Sequence, residues 1–190
     1  MNPGMFERTI SNVPVERVTR AVPTIDTNHC YIHDGKGYSI GEYFTINAGT
    51  TLDISLYVPP GIYVHYQSTD ITTDGGNTVV ATMFEGAVTT EGSGTPIIPV
   101  NRRRIGTPPT SALSVRQSPT VTATGEAKDK LYYPKTSDNQ SRGFNGKSDN
   151  NEWLLRQNTT YLWRISNTGT NTAVVVNFRP FWYEGGTITE

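Results

Sequence analysis

The stretch from Thr160 to Ser166 constrains this chain most. It alternates so strictly that Tyr161, Trp163 and Ile165 share one face of a strand, while Leu162, Arg164 and Ser166 take the other, because strand side chains alternate with period two. Thr172 to Glu184 follows with the β-branched and aromatic make-up of a final strand. Asn167 to Asn171 between them is turn chemistry, which predicts that the two segments form an antiparallel pair.

The rest of the chain from Gly37 onward reads the same way. Tyr38 to Ile46 is strand-like, and Asn47 to Gly49 turns. Thr51 to Val58 places Leu52, Ile54, Leu56 and Val58 on one face, and Pro59, Pro60 and Gly61 stop it, since proline cannot donate to a ladder. Ile62 to Gln67 is a further strand, Thr69 to Asn77 a polar loop, and Thr78 to Phe84 another apolar strand. Residues 86 to 110 are irregular and rich in Gly, Pro and Thr. Ser111 to Thr124 resumes alternation, and Lys135 to Asn151 reads as a long polar flap. No amphipathic helical period is sustained. The expected fold is all-β, a single jelly-roll-like sandwich over residues 30–190. Residues 1–29 form an extended N-terminal arm ahead of it. The arm carries Pro3, Pro14 and Pro23 but also Val13, Val15, Val18 and Val22 beside Arg17 and Arg20. Such repeated apolar anchors suit a segment that orders against a neighbour.

Composition narrows the function classes. A chain of 190 residues can bury roughly 70% of its unfolded surface without a staple. The net charge of −1 argues against nucleic acid, whose partners usually carry a basic excess. No apolar run approaches the ~20 residues of a membrane span. The single cysteine, Cys30, excludes an internal disulfide framework and fits assembly in a reducing compartment.

No catalytic or cofactor constellation emerges. His29, His33 and His65, with Cys30 and Asp34, lack the paired spacings of a zinc site. Asp70 to Asn77 has oxygen donors but no closing glutamate, so a hairpin loop is the better account than a calcium site. No G-x-S-x-G element occurs. Trp153, Trp163 and Trp182 raise the alternative of a carbohydrate-binding sandwich, although alternation sends Trp163 toward a core. Arg102, Arg103 and Arg104 form the only basic run and suit intersubunit contacts to carboxylates of another chain.

An ordered set of motifs carries a family resemblance. His33 to Tyr38 (HDGKGY), Met83 to Gly86 (MFEG), Val100 to Arg102 (VNR) and Ser118 to Val121 (SPTV) come first. Phe144 to Gly146 (FNG), Trp153 to Asn167 and Trp182 to Glu184 (WYE) complete it. In this the chain resembles the small virion proteins encoded beside the major capsid protein in many tailed bacteriophages, regarded as head decoration or cement proteins. The resemblance covers roughly residues 30–184. It implies a β-sandwich on the outer surface of the head, assembled in the host cytoplasm, with the major capsid protein as partner. It also implies a symmetric homo-oligomer, a trimer ahead of a dimer, and no enzymatic activity. The capsid or intersubunit contacts would then fall on Val13, Val15, Arg17, Val18, Arg20, Val22, Arg102, Arg103 and Arg104.

Overall fold

A computed structural model describes residues 27–74, 76–135, 142–144 and 152–185. Among these the chain is built of strands apart from one short helix, α1 (Thr27–His33). The helix spans the position where the sequence divides arm from domain. Val13, Val15, Arg17, Val18, Arg20 and Val22 lie outside the described residues.

Two antiparallel sheets make the sandwich. The first holds β1 (Gly37–Ser39), β2 (Glu42–Ile46), β4 (Tyr63–Thr73), β8 (Val100–Asn101), β12 (Arg142–Phe144), β13 (Trp153–Leu155) and β15 (Val174–Gly185). The second runs in the order β11 (Glu126–Tyr133), β5 (Val79–Glu85), β14 (Thr159–Asn167), β3 (Thr51–Val58), β9 (Ser114–Gln117) and β7 (Thr95–Ile97). A separate ribbon pairs β6 (Val88–Thr89) with β10 (Val121–Ala123). The chain changes sheet at most connections, as in a jelly roll. The core lies between the sheets, with Leu52, Ile54, Leu56, Val58, Tyr161, Trp163 and Ile165 facing Val64, Ile71, Val174, Val176 and Phe178.

The last two long strands are not an antiparallel pair. β14 is hydrogen-bonded to β3 on one edge and to β5 on the other. β15 is likewise flanked by β4 on one edge and by β1 and β2 on the other. Neither has a free edge for the other, so they meet face to face. The ring of Trp163 stands edge-on to that of Phe178, with centroids 6.3 Å apart at 67°. Trp163 Nε1 also donates to Tyr66 Oη across the sandwich at 3.0 Å. The turn chemistry of Asn167 to Asn171 therefore serves an arch between sheets.

Asn167 shapes that arch. Its buried amide donates to the carbonyls of Ile46 (3.0 Å) and Thr172 (2.9 Å), and its Oδ1 accepts the Gly169 N–H at 3.1 Å. Asn77 Nδ2 donates to the same Thr172 carbonyl at 2.5 Å. A side chain at Gly169 would collide with the Asn77 amide.

Other local expectations shift for similar reasons. Residues 69–73 are strand, because Thr69 to Thr73 stay in register with Val176 to Pro180 and Ile71 and Thr73 are buried. Tyr38 to Ile46 is two strands on one edge of β15, separated by Ile40 and Gly41. Arg142–Phe144, within the expected flap, pairs with Thr73 to Ile71. Glu126–Tyr133 carries almost no alternation, yet forms the outer strand of the second sheet. Its Glu126, Lys128, Asp129 and Lys130 are the charges with which natural sheets discourage edge-to-edge pairing.

Replacing Asn167 by Ala removes the side-chain donor to the Ile46 carbonyl and the acceptor of the Gly169 N–H, and is expected to cost ~2 kcal/mol or more in urea unfolding, at ~1–3 kcal/mol per unpaired group. Gly169→Ala should destabilise by ~1–3 kcal/mol through overpacking. Combining it with Asn77→Gly should recover part of that loss, a non-additivity that a double-mutant cycle would detect.

Candidate functional site

Two clusters of polar and aromatic side chains stand out on the described surface, one on the first sheet and one at the arginine run beside it. At one end of the first sheet, Tyr183 is sandwiched between aromatic rings from two other elements. Tyr31 of α1 stacks on it at 4.2 Å between centroids, and His65 of β4 stacks at 4.6 Å. Glu152, just before β13, accepts the Tyr183 hydroxyl at 2.7 Å and is hydrogen-bonded to His65 Nδ1. Gln67 Nε2 donates to Tyr183 Oη at 3.3 Å. The cluster ties α1, β4, β13 and β15 together. Burial pushes the Glu152 carboxyl up, but the hydrogen bonds from Tyr183 and His65 outweigh it and hold the group below its ordinary value. His65 is thus engaged with the Glu152 carboxylate and the Tyr183 ring. Among the described residues no group of three His, Cys, Asp or Glu side chains could hold a metal ion. Cys30 is exposed on α1.

The next residue, Glu184, is structural. Its carboxylate accepts Ser111 Oγ (2.5 Å), the Ala112 N–H (3.0 Å) and Trp182 Nε1 (3.1 Å). The three residues at 182–184 therefore have three tasks: core, ring stack and loop anchor.

The arginine run begins at β8. Asn101 is buried and donates to the carbonyls of Gly35 (2.7 Å) and Pro109 (3.0 Å), while its Oδ1 accepts the Arg103 N–H at 2.9 Å. This corner throws Arg102, Arg103 and Arg104 to the surface, where all three are exposed. Arg102 turns back, its guanidinium carbon 4.8 Å from the centroid of the Phe181 ring, a cation–π geometry. Apolar side chains flank the run: Ile98 is 83% exposed and Ile105 77%, with Val100 also open.

Beside the arginine run lies a pocket of ≈ 530 Å³. Exposed Gly41 borders it, and an added Cβ there would meet nothing within 4 Å. Arg102, Arg179, Phe181 and Asp70 line it. Asp70 Oδ1 is buried without a hydrogen-bond partner.

Of the three tryptophans, Trp163 (2% exposed) and Trp182 (0%) are core, and only Trp153 reaches the surface. They cannot form the shared stacking platform that the carbohydrate alternative drew on. Sequence reasoning singled out the arginine run but not the Tyr31–Tyr183–His65–Glu152 cluster or the Asp70–Arg179 pocket. Each joins residues far apart in the chain through strand register, for which no local spacing gives a signal.

No family model matches the sequence, and no curated protein matches it.

A carboxyl whose folded-state pKa is lowered stabilises the fold above its unfolded pKa, and that contribution is lost as pH falls through the folded value. The Glu152 contribution is therefore full above about pH 5 and should disappear as pH falls below its ordinary value of 4.5. Protection of the Tyr31, His65 and Tyr183 amides against hydrogen exchange, taken relative to the intrinsic rate at each pH, should fall over that range, and Glu152→Gln should flatten the dependence. Unchanged protection down to pH 3 in the intact protein would contradict it.

Proposed function

We propose that this chain is a structural virion protein. It binds the outside of an assembled tailed-phage head and clamps neighbouring major capsid subunits, acting as a symmetric homo-oligomer, a trimer ahead of a dimer. The observation that carries the reading is the segment around β8, where Ile98, Val100 and Ile105 stand exposed on either side of the exposed run Arg102, Arg103 and Arg104. Apolar area rimmed by guanidiniums is the make-up of a protein interface, in which arginine is enriched and apolar residues supply most of the burial. The motif resemblance gives that interface its partner.

The role follows from mass action. A protein that binds the closed shell better than free capsid subunits stabilises the shell by its differential affinity. An oligomer multiplies weak contacts by avidity. Fully covering Ile98 or Ile105 contributes at most about 1.5–3 kcal/mol each. The arginines add contacts that salt screens. Residues 1–26, with their valine anchors and Arg17 and Arg20, extend the clamp across the neighbouring subunit. On this reading the protein acts on the outer surface of the head, is assembled there in the host cytoplasm, and catalyses nothing.

Co-sedimentation with assembled heads, compared with unassembled capsid protein, tests the proposal directly. The intact protein should pellet with heads and not with free subunits. Ile98→Ser with Ile105→Ser should weaken head binding about tenfold or more, from the apolar burial lost. Arg102, Arg103 and Arg104 replaced by Ala should weaken binding and flatten its salt dependence. Deleting residues 1–26, which leaves α1 whole, should weaken it further. Binding by all these variants as tight as the parent's would overturn the reading. So would a monomer at tens of micromolar in sedimentation that stays monomeric on heads.

A further inference from the structure

The open edge of β2 is a long sheet edge left without the usual protection. Among the described residues, only β11 and β2 are outer strands of more than three residues. β11 is protected twice, by the charges of Glu126, Lys128, Asp129 and Lys130 and by a register shift between Ala127 and Asp129, both devices that discourage edge pairing. β7 is short and holds Pro96, and β8 is two residues long and runs into the arginines. β2 has neither proline nor register shift, and its one charge, Glu42, lies at its end. Tyr43 is 73% exposed, and Thr45 is exposed beside it.

Ladder parity fixes which backbone groups face that edge. Ile40 donates its N–H to the Pro180 carbonyl at 3.3 Å, a pair that continues the register of Ser39 with Phe181 and of Glu42 with Phe178. Residues of an antiparallel strand bond alternately to one neighbour and to the other. Ile40, Glu42, Phe44 and Ile46 therefore bond to β15, while Gly41, Tyr43 and Thr45 turn their N–H and C=O groups away from it. The same parity holds in β1, where the Gly37 carbonyl accepts the Arg102 N–H at 2.9 Å on the far side. β8 occupies that side as far as Ser39, so the open stretch begins at Gly41. The turn closed by the Thr50 N–H on the Asn47 carbonyl ends it.

We propose that β2 pairs with β2 of a second copy, antiparallel about a two-fold axis at Phe44. Each strand must offer its outward groups to the other. The two-fold register that does so along the whole of β2 sets Tyr43 of one copy opposite Thr45 of the other. Each such pair exchanges both hydrogen bonds and places an aromatic ring across from a β-branched residue, a favourable cross-strand match. Glu42 falls opposite Ile46 of the second copy, so no like charges meet. The first sheet then runs on through both molecules. A contact in which one patch meets itself closes after two copies. The inference does not rest on the capsid reading, since it concerns the protein free of heads, and it favours the dimer of the two closed forms named there.

Sedimentation of the full-length protein without heads, from about 5 to about 200 µM, covers the range suited to a contact below standard interface size. The protein should pass from monomer to dimer. In NMR-detected hydrogen exchange the Tyr43 and Thr45 amides should gain protection as the dimer forms, while amides on the open edge of β11 should not. Tyr43→Lys combined with Thr45→Lys opposes like charges in both pairs and should raise the dimer Kd at least about tenfold. Tyr43→Glu combined with Thr45→Glu should do the same, and mixing the two variants should restore dimers. A monomer at every concentration overturns the proposal, as does a dimer whose β2 amides stay unprotected or one that both charge variants leave intact. Protection that ignores concentration and vanishes on deleting residues 1–26 would assign the edge to the N-terminal segment, and that too overturns it. Heads bound by a protein whose β2 stays unpaired would sink this inference and leave the capsid reading standing.

Discussion

Trp163 is the contact on which the sandwich depends. It sits on the central strand of one sheet and touches the other in two ways at once, with its ring edge against Phe178 and its N–H on the Tyr66 hydroxyl. The hydroxyl is in turn hydrogen-bonded to Thr69, so the polar atoms of this buried cluster are satisfied. Burial is the chief cause that drives the Tyr66 pKa up, as expected for a phenol kept neutral in the core. Emptying a buried tryptophan site typically costs ~3–5 kcal/mol, a large part of the ~5–15 kcal/mol that holds a domain together. Because the bridge is both apolar and directional, it fixes the spacing of the sheets and also their relative slide.

That bridge explains why β14 and β15 are central strands and why they cannot be a hairpin. Their inner faces must oppose each other, so the chain has to leave one sheet and enter the other within a few residues. Asn167 makes this possible by supplying a side-chain amide where the departing backbone loses its ladder partners. The same device recurs at Asn101, where the chain turns after β8. In both places one amide supplies what several waters would otherwise provide.

The faces of strands were legible in the sequence, and their partners were not. Leu52, Ile54, Leu56 and Val58 are buried as their alternation demands, and so are Tyr161, Trp163 and Ile165. Leu162 is the exception: fully buried beside Ser55 although it lies on the opposite face. Pairing depends on which edges are already occupied, information held in the whole chain and not in a window. Thr69 to Thr73 is polar by its threonine hydroxyls and Asp70. Its β-branched frame decided the conformation once β15 lay alongside. Four of the motifs behind the family resemblance contain corner residues: Gly35 at φ +74° ends α1, Ser118 at φ 49° turns toward Asp53, and Asn101 and Glu184 hold loops. Corners are legible as motifs because only particular residues can make them. The pocket at Gly41 was illegible for the opposite reason, since it exists only where ladders align residues from four separate strands.

The distribution of spent and unspent polar groups separates scaffold from working surface. Arg116 gives its guanidinium to the carbonyls of Ser93, Gly92 and Gly94. Arg164 forms a two-pronged pair with Asp53 at 2.9 and 2.8 Å, which raises its pKa through that hydrogen bond. Arg156 pairs with Glu85. Glu184 and Glu152 are committed to backbone and aromatic partners. These side chains serve the fold, and they are scattered over both sheets and their loops. Among the described residues, the guanidiniums without a carboxylate at Arg102, Arg103, Arg104 and Arg179, and the unpaired oxygen of Asp70, gather on the outer face of the first sheet and the corner beside it. With Ile98 and Ile105 exposed beside them, these groups give that side a mixture of apolar area and guanidiniums that the ladder-bound polar groups elsewhere do not provide.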